Sequence, residues 1–100
     1  MPTPNEVNPH NFQVKDVLYN KGGFSIAWGR WESKEDLLAM RWDGDGATDQ
    51  GYPKTFGHPV WFVLPADLAL PIVLAIRTLD GSERDEIRKT LQTLLSAPAE

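Results

Sequence analysis

Apolar and polar residues alternate through the first half of the chain with the period of two that is typical of a β-strand. The alternation predicts three strands, over residues 14–19, 24–31 and 37–42. Gly22 and Gly23 supply a turn between the first two strands, and the polar residues 32–36 supply the next. A wholly apolar run over 60–64 predicts a fourth strand. Consecutive strands joined by such turns predict an antiparallel sheet.

The last third of the chain changes to helical patterning. Residues 66–79 are apolar nearly all round, which predicts a heavily buried helix. Pro71 predicts either a kink in it or a short turn ahead of a helix over 71–79. Gly81 predicts a left-handed stop, and Ser82 begins a second helix whose apolar residues recur at helical spacing. The predicted fold class is α+β, with a four-stranded antiparallel sheet followed by two C-terminal helices packed on one face.

The length of 100 residues favours a single domain. Residues 1–12 contain three prolines and three asparagines, so we expect them to form a flexible N-terminal arm. Residues 13–97 are predicted to form the single α+β domain.

Composition and charge exclude several classes of function. The chain has no cysteine, which removes disulfides, thiol catalysis and Cys-ligated zinc, and fits a reducing cytoplasm. Its net charge of -4 argues against non-specific binding to DNA. The longest apolar stretch, Leu68 to Ile76, is far short of the roughly 20 residues that a membrane span needs. The first residues also lack the pattern of a signal peptide, and we expect a cytoplasmic protein with no membrane association.

The run DGDGATDQG at 43–51 has some features of a calcium-binding loop. Asp43 and Asp45 match the first two ligand positions, but Lys54 stands where a bidentate glutamate belongs. We therefore expect no metal and no other cofactor. A small metal-dependent hydrolase or nuclease, which would bring Asp43, Asp45 or Asp49 to His58, stays as a second alternative function.

A long loop separates the third and fourth predicted strands. Loops of more than about 12 residues within a compact domain are uncommon and are usually functional or mobile. This one carries aromatic and basic residues that suit contact with a ligand: Tyr52, Lys54, Phe56 and His58. The two rings offer apolar contact, and Lys54, together with Arg41 on the sheet, offers positive charge to an anionic group.

The sheet face opposite Phe24, Ile26 and Trp28 is the second candidate surface, and we call it the second face. Its residues on the second and third strands are Ala27, Gly29, Trp31, Leu37, Ala39 and Arg41, and Trp61 extends it if the fourth strand has matching parity. Small residues let another molecule approach the backbone, while tryptophan and arginine are common interface anchors. We expect this face to bind a second copy of the chain or another protein. Burial by the arm or the loop within one fold is the structural alternative.

The segments RWDGDG (41–46) and GYPKTFGHPVWFVLP (51–65) resemble a pattern in small bacterial proteins of uncharacterised function, some of them carried as mobile gene cassettes in integrons. In that pattern an Arg-Trp strand is followed by Gly-Tyr-Pro, a Gly-x-Pro step and Trp-Phe-x-Leu-Pro. The resemblance covers about residues 17–76 and implies no activity.

The segment VWFVLPADL (60–68) is also similar in outline to the positive-cofactor-four family of transcriptional coactivators, which bind single-stranded DNA as dimers. That resemblance implies four strands running into a terminal helix, and a dimer. The chain departs from the family in its acidic balance, its additional helix and its lack of a lysine-rich strand.

These patterns together predict a non-catalytic binding or interaction module that forms a homodimer. Its predicted contact residues are Trp31, Arg41, Tyr52, Lys54, Phe56, His58 and Trp61. A single-stranded nucleic-acid-binding protein of the coactivator type is the first alternative, because aromatic and arginine side chains also stack on bases.

Overall fold

The computed structural model describes residues 7–9, 11–44, 51–55 and 58–96. Three long strands follow one another along the chain: β1 (Phe12–Lys21), β2 (Phe24–Trp31) and β3 (Glu35–Trp42). Three two-residue strands come next: β4 (Lys54–Thr55), β5 (His58–Pro59) and β6 (Phe62–Val63). The main sheet is antiparallel with the order β1-β2-β3-β6, while β4 and β5 pair with each other.

Two helices follow the sheet, α1 (Ala69–Ile76) and α2 (Arg84–Ser96), and a short 3-10 turn at Ala66–Leu68 precedes them. Both helices pack on one face of the sheet, where strand and helix residues share a core. The buried members of this core are Leu18, Ile26, Trp28, Leu38, Leu64, Ala69, Val73, Ile76 and Ile87. The predicted fold class is confirmed. Neither described helix has the length and apolar character needed to cross a bilayer.

The turn between β1 and β2 shows how the local sequence sets the register of the sheet. Gly22 and Gly23 have φ of 64° and 81°, which a two-residue hairpin turn needs and which glycine adopts without steric cost. The turn pairs Lys21 with Phe24, and Phe24 in turn lies opposite Trp42 on β3. Because opposed residues share a face, this turn fixes which side chains of β2 and β3 face the helices.

Pro71 lies in the first turn of α1 and does not interrupt it. The helix begins at Ala69, so the missing N–H of Pro71 falls where a backbone N–H has no partner within the helix. The helix ends at Ile76, about one turn earlier than predicted. Gly81 has the predicted positive φ, 98°, but it lies beyond the helix in a segment that pairs with β1. There the Asn20 N–H donates to the Gly81 carbonyl at 2.9 Å.

The second face of the sheet is largely covered by the protein's own chain. A second core forms there from residues of the strands, the loop and the N-terminal segment: Val7, Phe12, Ala27, Ala39 and Trp61. The Phe12 ring lies over Gly29, where an added Cβ would be 2.7 Å from the Phe12 Cζ atom. The small residues do allow close approach, but the neighbour is intramolecular. The prediction that this face is free to bind a partner is therefore wrong where the second core covers it.

Part of the predicted arm belongs to the folded domain. Val7 is 2% exposed, and its carbonyl accepts a hydrogen bond of 2.6 Å from the Trp61 indole N–H. The Asn8 side-chain carbonyl accepts another from the Val14 backbone N–H at 2.7 Å. For this part the prediction of a flexible arm is wrong, because these residues complete the second core, and the domain starts ahead of residue 13. Residues 1–6 and 10 lie outside the described residues.

Truncation of Leu38 tests the core beneath the helices. Leu38 is 1% exposed, so Leu38→Ala should lower the free energy of unfolding by about 2–5 kcal/mol. Leu95 on α2 is 68% exposed, so the control Leu95→Ala should change it by less than about 0.5 kcal/mol. Urea unfolding followed by tryptophan fluorescence measures both values. Equal effects of the two substitutions would contradict the placement of Leu38 in the core.

Candidate functional site

Three large aromatic side chains are exposed at one corner of the sheet. Trp42 is 55% exposed, Tyr52 69% and Phe62 60%. All three line one mainly apolar concavity of about 180 Å³. We call these three residues the aromatic cluster. Because a monomeric protein seldom exposes a contiguous apolar patch without a functional reason, the cluster is a candidate binding surface.

The sheet brings the cluster together from three separate stretches of chain. Phe62 lies opposite Met40 in the β3–β6 pair, and Trp42 lies opposite Phe24 in the β2–β3 pair. The Trp42 N–H donates to the Tyr52 carbonyl at 2.7 Å, and the Tyr52 N–H donates to the Trp42 carbonyl at 2.9 Å. Since directly opposed residues share a face, the cluster lies on the same face of the sheet as the helices.

The walls of the concavity hold the cluster in place. The Phe24 and Trp42 rings meet edge to face, with centroids 4.7 Å apart and planes at 63°, an arrangement that aromatic rings favour. Met40, Arg41 and Pro53 complete the lining beside Phe24 and the cluster. The Phe24 ring therefore holds the exposed Trp42 ring in position before any partner binds.

The helices leave this corner of the face uncovered. With 8 residues, α1 spans about 12 Å, and with α2 it covers Ile26, Trp28 and Leu38. Trp42 and Phe62 lie beyond that core and stay exposed. The two helices therefore cover only part of this face and leave the end of β3 open.

Arg41 has a structural role. Its side chain is 0% exposed, and its Nη1 atom donates to the Val60 carbonyl at 2.6 Å and to the Pro53 carbonyl at 3.3 Å. Both carbonyls belong to the chain that returns from the long loop. A buried guanidinium needs such partners, because an uncompensated buried charge costs several kcal/mol. The prediction that Arg41 binds an external anion is wrong, since its guanidinium is turned inward.

A buried polar pair lies next to Arg41. Asp43 is 3% exposed and Ser25 is 0% exposed. The Ser25 hydroxyl donates to the Asp43 carboxylate, with its Oγ 2.7 Å from Oδ2 and 3.0 Å from Oδ1. Burial raises the pKa of Asp43 above its ordinary value of 3.8, although the Ser25 hydrogen bond and the Arg41 charge act in the opposite direction. The Asp43 carboxylate is therefore committed to the interior of the fold.

Trp61 and Trp31, both predicted to bind a partner, lie in different environments. Trp61 is 6% exposed, and its ring packs on Phe12 with centroids 5.9 Å apart. Its predicted role at an interface is wrong, because the second core encloses it. Trp31 is half-buried and lines, with Leu37 and Val63, a separate cavity of about 350 Å³. Its role at an interface stays a prediction.

The loop residues predicted to bind a ligand are only partly brought together. Tyr52, Lys54 and His58 are exposed, and Phe56 lies outside the described residues. Tyr52 lines the concavity, whereas Lys54 and His58 do not. Those two residues lie on β4 and β5, the small separate sheet.

The residues named for a hydrolase lie partly outside the described residues, since Asp45 and Asp49 are not among them. Asp43 is buried against Ser25, while His58 is exposed on β5. In the part of the chain that the structure describes, no group of three or more His, Asp or Glu side chains is placed to hold a metal ion.

Sequence reasoning missed Trp42 and Phe62. The sequence signal for Trp42 is its position in the strand. It continues the alternation of Leu38 and Met40 and so shares their face, but it is the last residue of the strand, next to a long loop. The parity of Phe62 relative to Trp61 depends on where the returning chain pairs with β3, and the sequence alone does not contain that register.

Asp43 should make the stability of the protein fall as pH rises. A carboxyl group whose pKa is higher in the folded chain than in the unfolded chain favours folding while it is protonated. Its stabilising contribution is complete below the ordinary pKa of 3.8 and is lost as pH rises through the raised value. Because Asp43→Asn removes this titration, the free energy of unfolding of the variant minus that of the wild type should increase between about pH 3 and about pH 7.

Urea unfolding across this pH range measures the difference. Asp67→Asn, at an exposed carboxyl group on the 3-10 turn, controls for the loss of one negative charge. A difference for Asp43→Asn that stays constant or decreases with pH would contradict a raised pKa.

Comparison with known proteins assigns no family to this chain. No family model, no curated protein and no solved structure matches it. The two resemblances drawn from the sequence therefore stay predictions. Function has to be inferred from the geometry of the described residues.

Proposed function

We propose that this protein is a non-catalytic interaction module that forms a homodimer through the aromatic cluster of Trp42, Tyr52 and Phe62. The observation that carries the proposal is the exposure of these three rings around one apolar concavity. Large aromatic side chains bury roughly 150–250 Å² each, and apolar area contributes about 25 cal/mol per Å². Covering the exposed half of each ring would contribute about 6–9 kcal/mol per protomer before the entropic cost of association.

The shape of the surface favours a second copy as the partner. Exposed rings and a concavity of about 180 Å³ stand side by side on the same corner. A two-fold axis through this corner would insert a ring of each copy into the concavity of the other, the self-complementary arrangement that a symmetric dimer needs. Tryptophan, tyrosine and phenylalanine are also enriched at interface cores.

The charge of the surface favours a protein partner over a nucleic acid. Among the described lining residues of the concavity, Arg41 is the one cation, and it donates to the Pro53 and Val60 carbonyls. Single-stranded nucleic acids bind where aromatic rings lie beside a positive groove that follows the phosphates. The aromatic cluster has the rings without that groove, so it suits an apolar partner better.

Sedimentation equilibrium with two matched variants tests the proposal. The wild type should approach twice the mass of 11.2 kDa as its concentration rises. Phe62→Gln should weaken dimerisation by about 1,000-fold, since each of the two copies in a symmetric dimer loses an interface anchor of about 2 kcal/mol. Leu95→Gln replaces an equally exposed apolar side chain on α2, 68% exposed, and should leave dimerisation unchanged.

Two results would contradict a homodimer formed through the aromatic cluster, and a third would assign the cluster to nucleic-acid binding instead. One is a wild type that stays monomeric at high micromolar concentration, which would direct the search to a different protein partner. Another is equal weakening by Phe62→Gln and Leu95→Gln. The third is quenching of tryptophan fluorescence by a single-stranded oligonucleotide, with affinity falling steeply as salt rises, which would favour the nucleic-acid alternative.

A further inference from the structure

Three arginines line one groove between the end of α1 and the face of α2. The groove has a volume of about 290 Å³, and its lining residues are Arg77, Thr78, Arg84, Ile87, Arg88 and Leu91. It is distinct from the aromatic cluster, with which it shares no lining residue. Three guanidinium groups around one groove are unexpected in a chain whose net charge is -4.

The helical period of α2 builds most of the groove. Arg84 and Arg88 are four residues apart, as are Ile87 and Leu91, so both pairs lie on one side of the helix. Ile87 is buried and Leu91 is half-buried, which gives the groove an apolar floor. Arg77, immediately after α1, supplies a cation from the opposite wall. The groove therefore combines positive walls with an apolar base.

Two of these three arginines have no acidic partner among the residues that the structure describes. Arg77 and Arg84 make no ion pair with any residue that the structure describes. Arg88 Nη2 lies 3.3 Å from Asp85 Oδ1, but both side chains are at least 70% exposed, and exposed pairs contribute little. Asp80 pairs with Lys21 instead, and Glu86 pairs with Lys89. Glu83 precedes Arg84 in the chain and does not line the groove.

The stability of α2 does not account for the position of Arg84. A cation in the first turn of a helix, such as Arg84, meets the positive end of the helix dipole and is disfavoured there. Like charges four residues apart, such as Arg84 and Arg88, also repel each other. Arg84 therefore adds nothing to the stability of its own helix, and its place beside Arg77 and Arg88 at the groove is consistent with the binding of an anion.

We propose that this groove binds a small organic phosphate, with the phosphate held by Arg77, Arg84 and Arg88 and its apolar or aromatic body resting on Ile87 and Leu91. The planar guanidinium offers paired N–H donors that match a phosphate group. The volume of about 290 Å³ lies just below the range for ligand pockets, about 300–1,000 Å³. This size suits a ligand such as a mononucleotide or a phosphorylated amino acid, and it does not suit a polymer.

Titration of the protein with phenyl phosphate, followed by NMR of the backbone amides of α2, tests the proposal. Phenyl phosphate carries both the anion and an aromatic body, whereas inorganic phosphate and phenol each carry one of the two. Phenyl phosphate should bind more tightly than either control and should shift the amide signals of α2. Adenosine monophosphate and O-phosphotyrosine then distinguish a nucleotide from a phosphorylated side chain as the source of the phosphate.

Three substitutions make the test specific. Arg84→Gln should weaken phenyl phosphate binding by about tenfold, the factor that corresponds to a charge-assisted hydrogen bond of about 1.4 kcal/mol. Arg77→Gln, on the opposite wall, repeats the test. Lys34→Gln removes the same charge from an exposed residue in the turn between β2 and β3, and it should leave binding unchanged.

The proposal is overturned if phenyl phosphate does not bind at millimolar concentration. It is also overturned if Arg84→Gln and Arg77→Gln bind as tightly as Lys34→Gln does. Equal affinity for inorganic phosphate and phenyl phosphate would remove the apolar part of the proposal. Binding of a single-stranded oligonucleotide without any binding of phenyl phosphate would replace it with a polymer site.

Discussion

The hydrogen bonds of the buried Arg41 side chain hold together the parts of the molecule on which the rest depends. From β3, Arg41 donates to the carbonyls of Pro53 and Val60, two points on the chain that returns from the long loop. Gly51, with φ of 82°, passes so close that an added Cβ would be 2.4 Å from Arg41 Nη2. Because a buried guanidinium cannot lose such partners without a large penalty, one side chain determines the path of the returning segment.

That path has opposite effects on the two faces of the sheet. On one face it places Trp61 over the small residues of β2 and β3, where its indole donates to the Val7 carbonyl and the second core closes. On the other face it places Tyr52 beside Trp42 and brings Phe62 into the sheet. The hydrogen bonds of Arg41 therefore lead to the covering of the second face, which the sequence predicts to be open. They also lead to the assembly of the aromatic cluster on the face that carries the helices.

The sequence predicts the elements of this fold well, because their signals are local. The glycine pair at 22–23, the alternation in β2 and β3 and the apolar stripe of α2 all depend on near neighbours in the chain. The partners of Arg41 and the parity of Trp61 depend on contacts between residues far apart in sequence, and no local pattern carries them. The position of Val7 could not be predicted from the sequence for the same reason. Its segment is rich in proline and asparagine, and it is held by a hydrogen bond from a tryptophan far away in the chain.

The four tryptophans lie in distinct environments, so a single spectroscopic measurement can report which surface makes contact. Trp28 and Trp61 are each 6% exposed, whereas Trp42 is 55% exposed, and Trp31 is half-buried on the second face. Fluorine NMR of the 5-fluorotryptophan-labelled protein, recorded from low micromolar to millimolar concentration, follows each ring separately. An interaction through the aromatic cluster predicts that the Trp42 resonance shifts with concentration and loses its sensitivity to solvent while the other three stay constant. A constant Trp42 resonance, or a shift confined to Trp31, would contradict it.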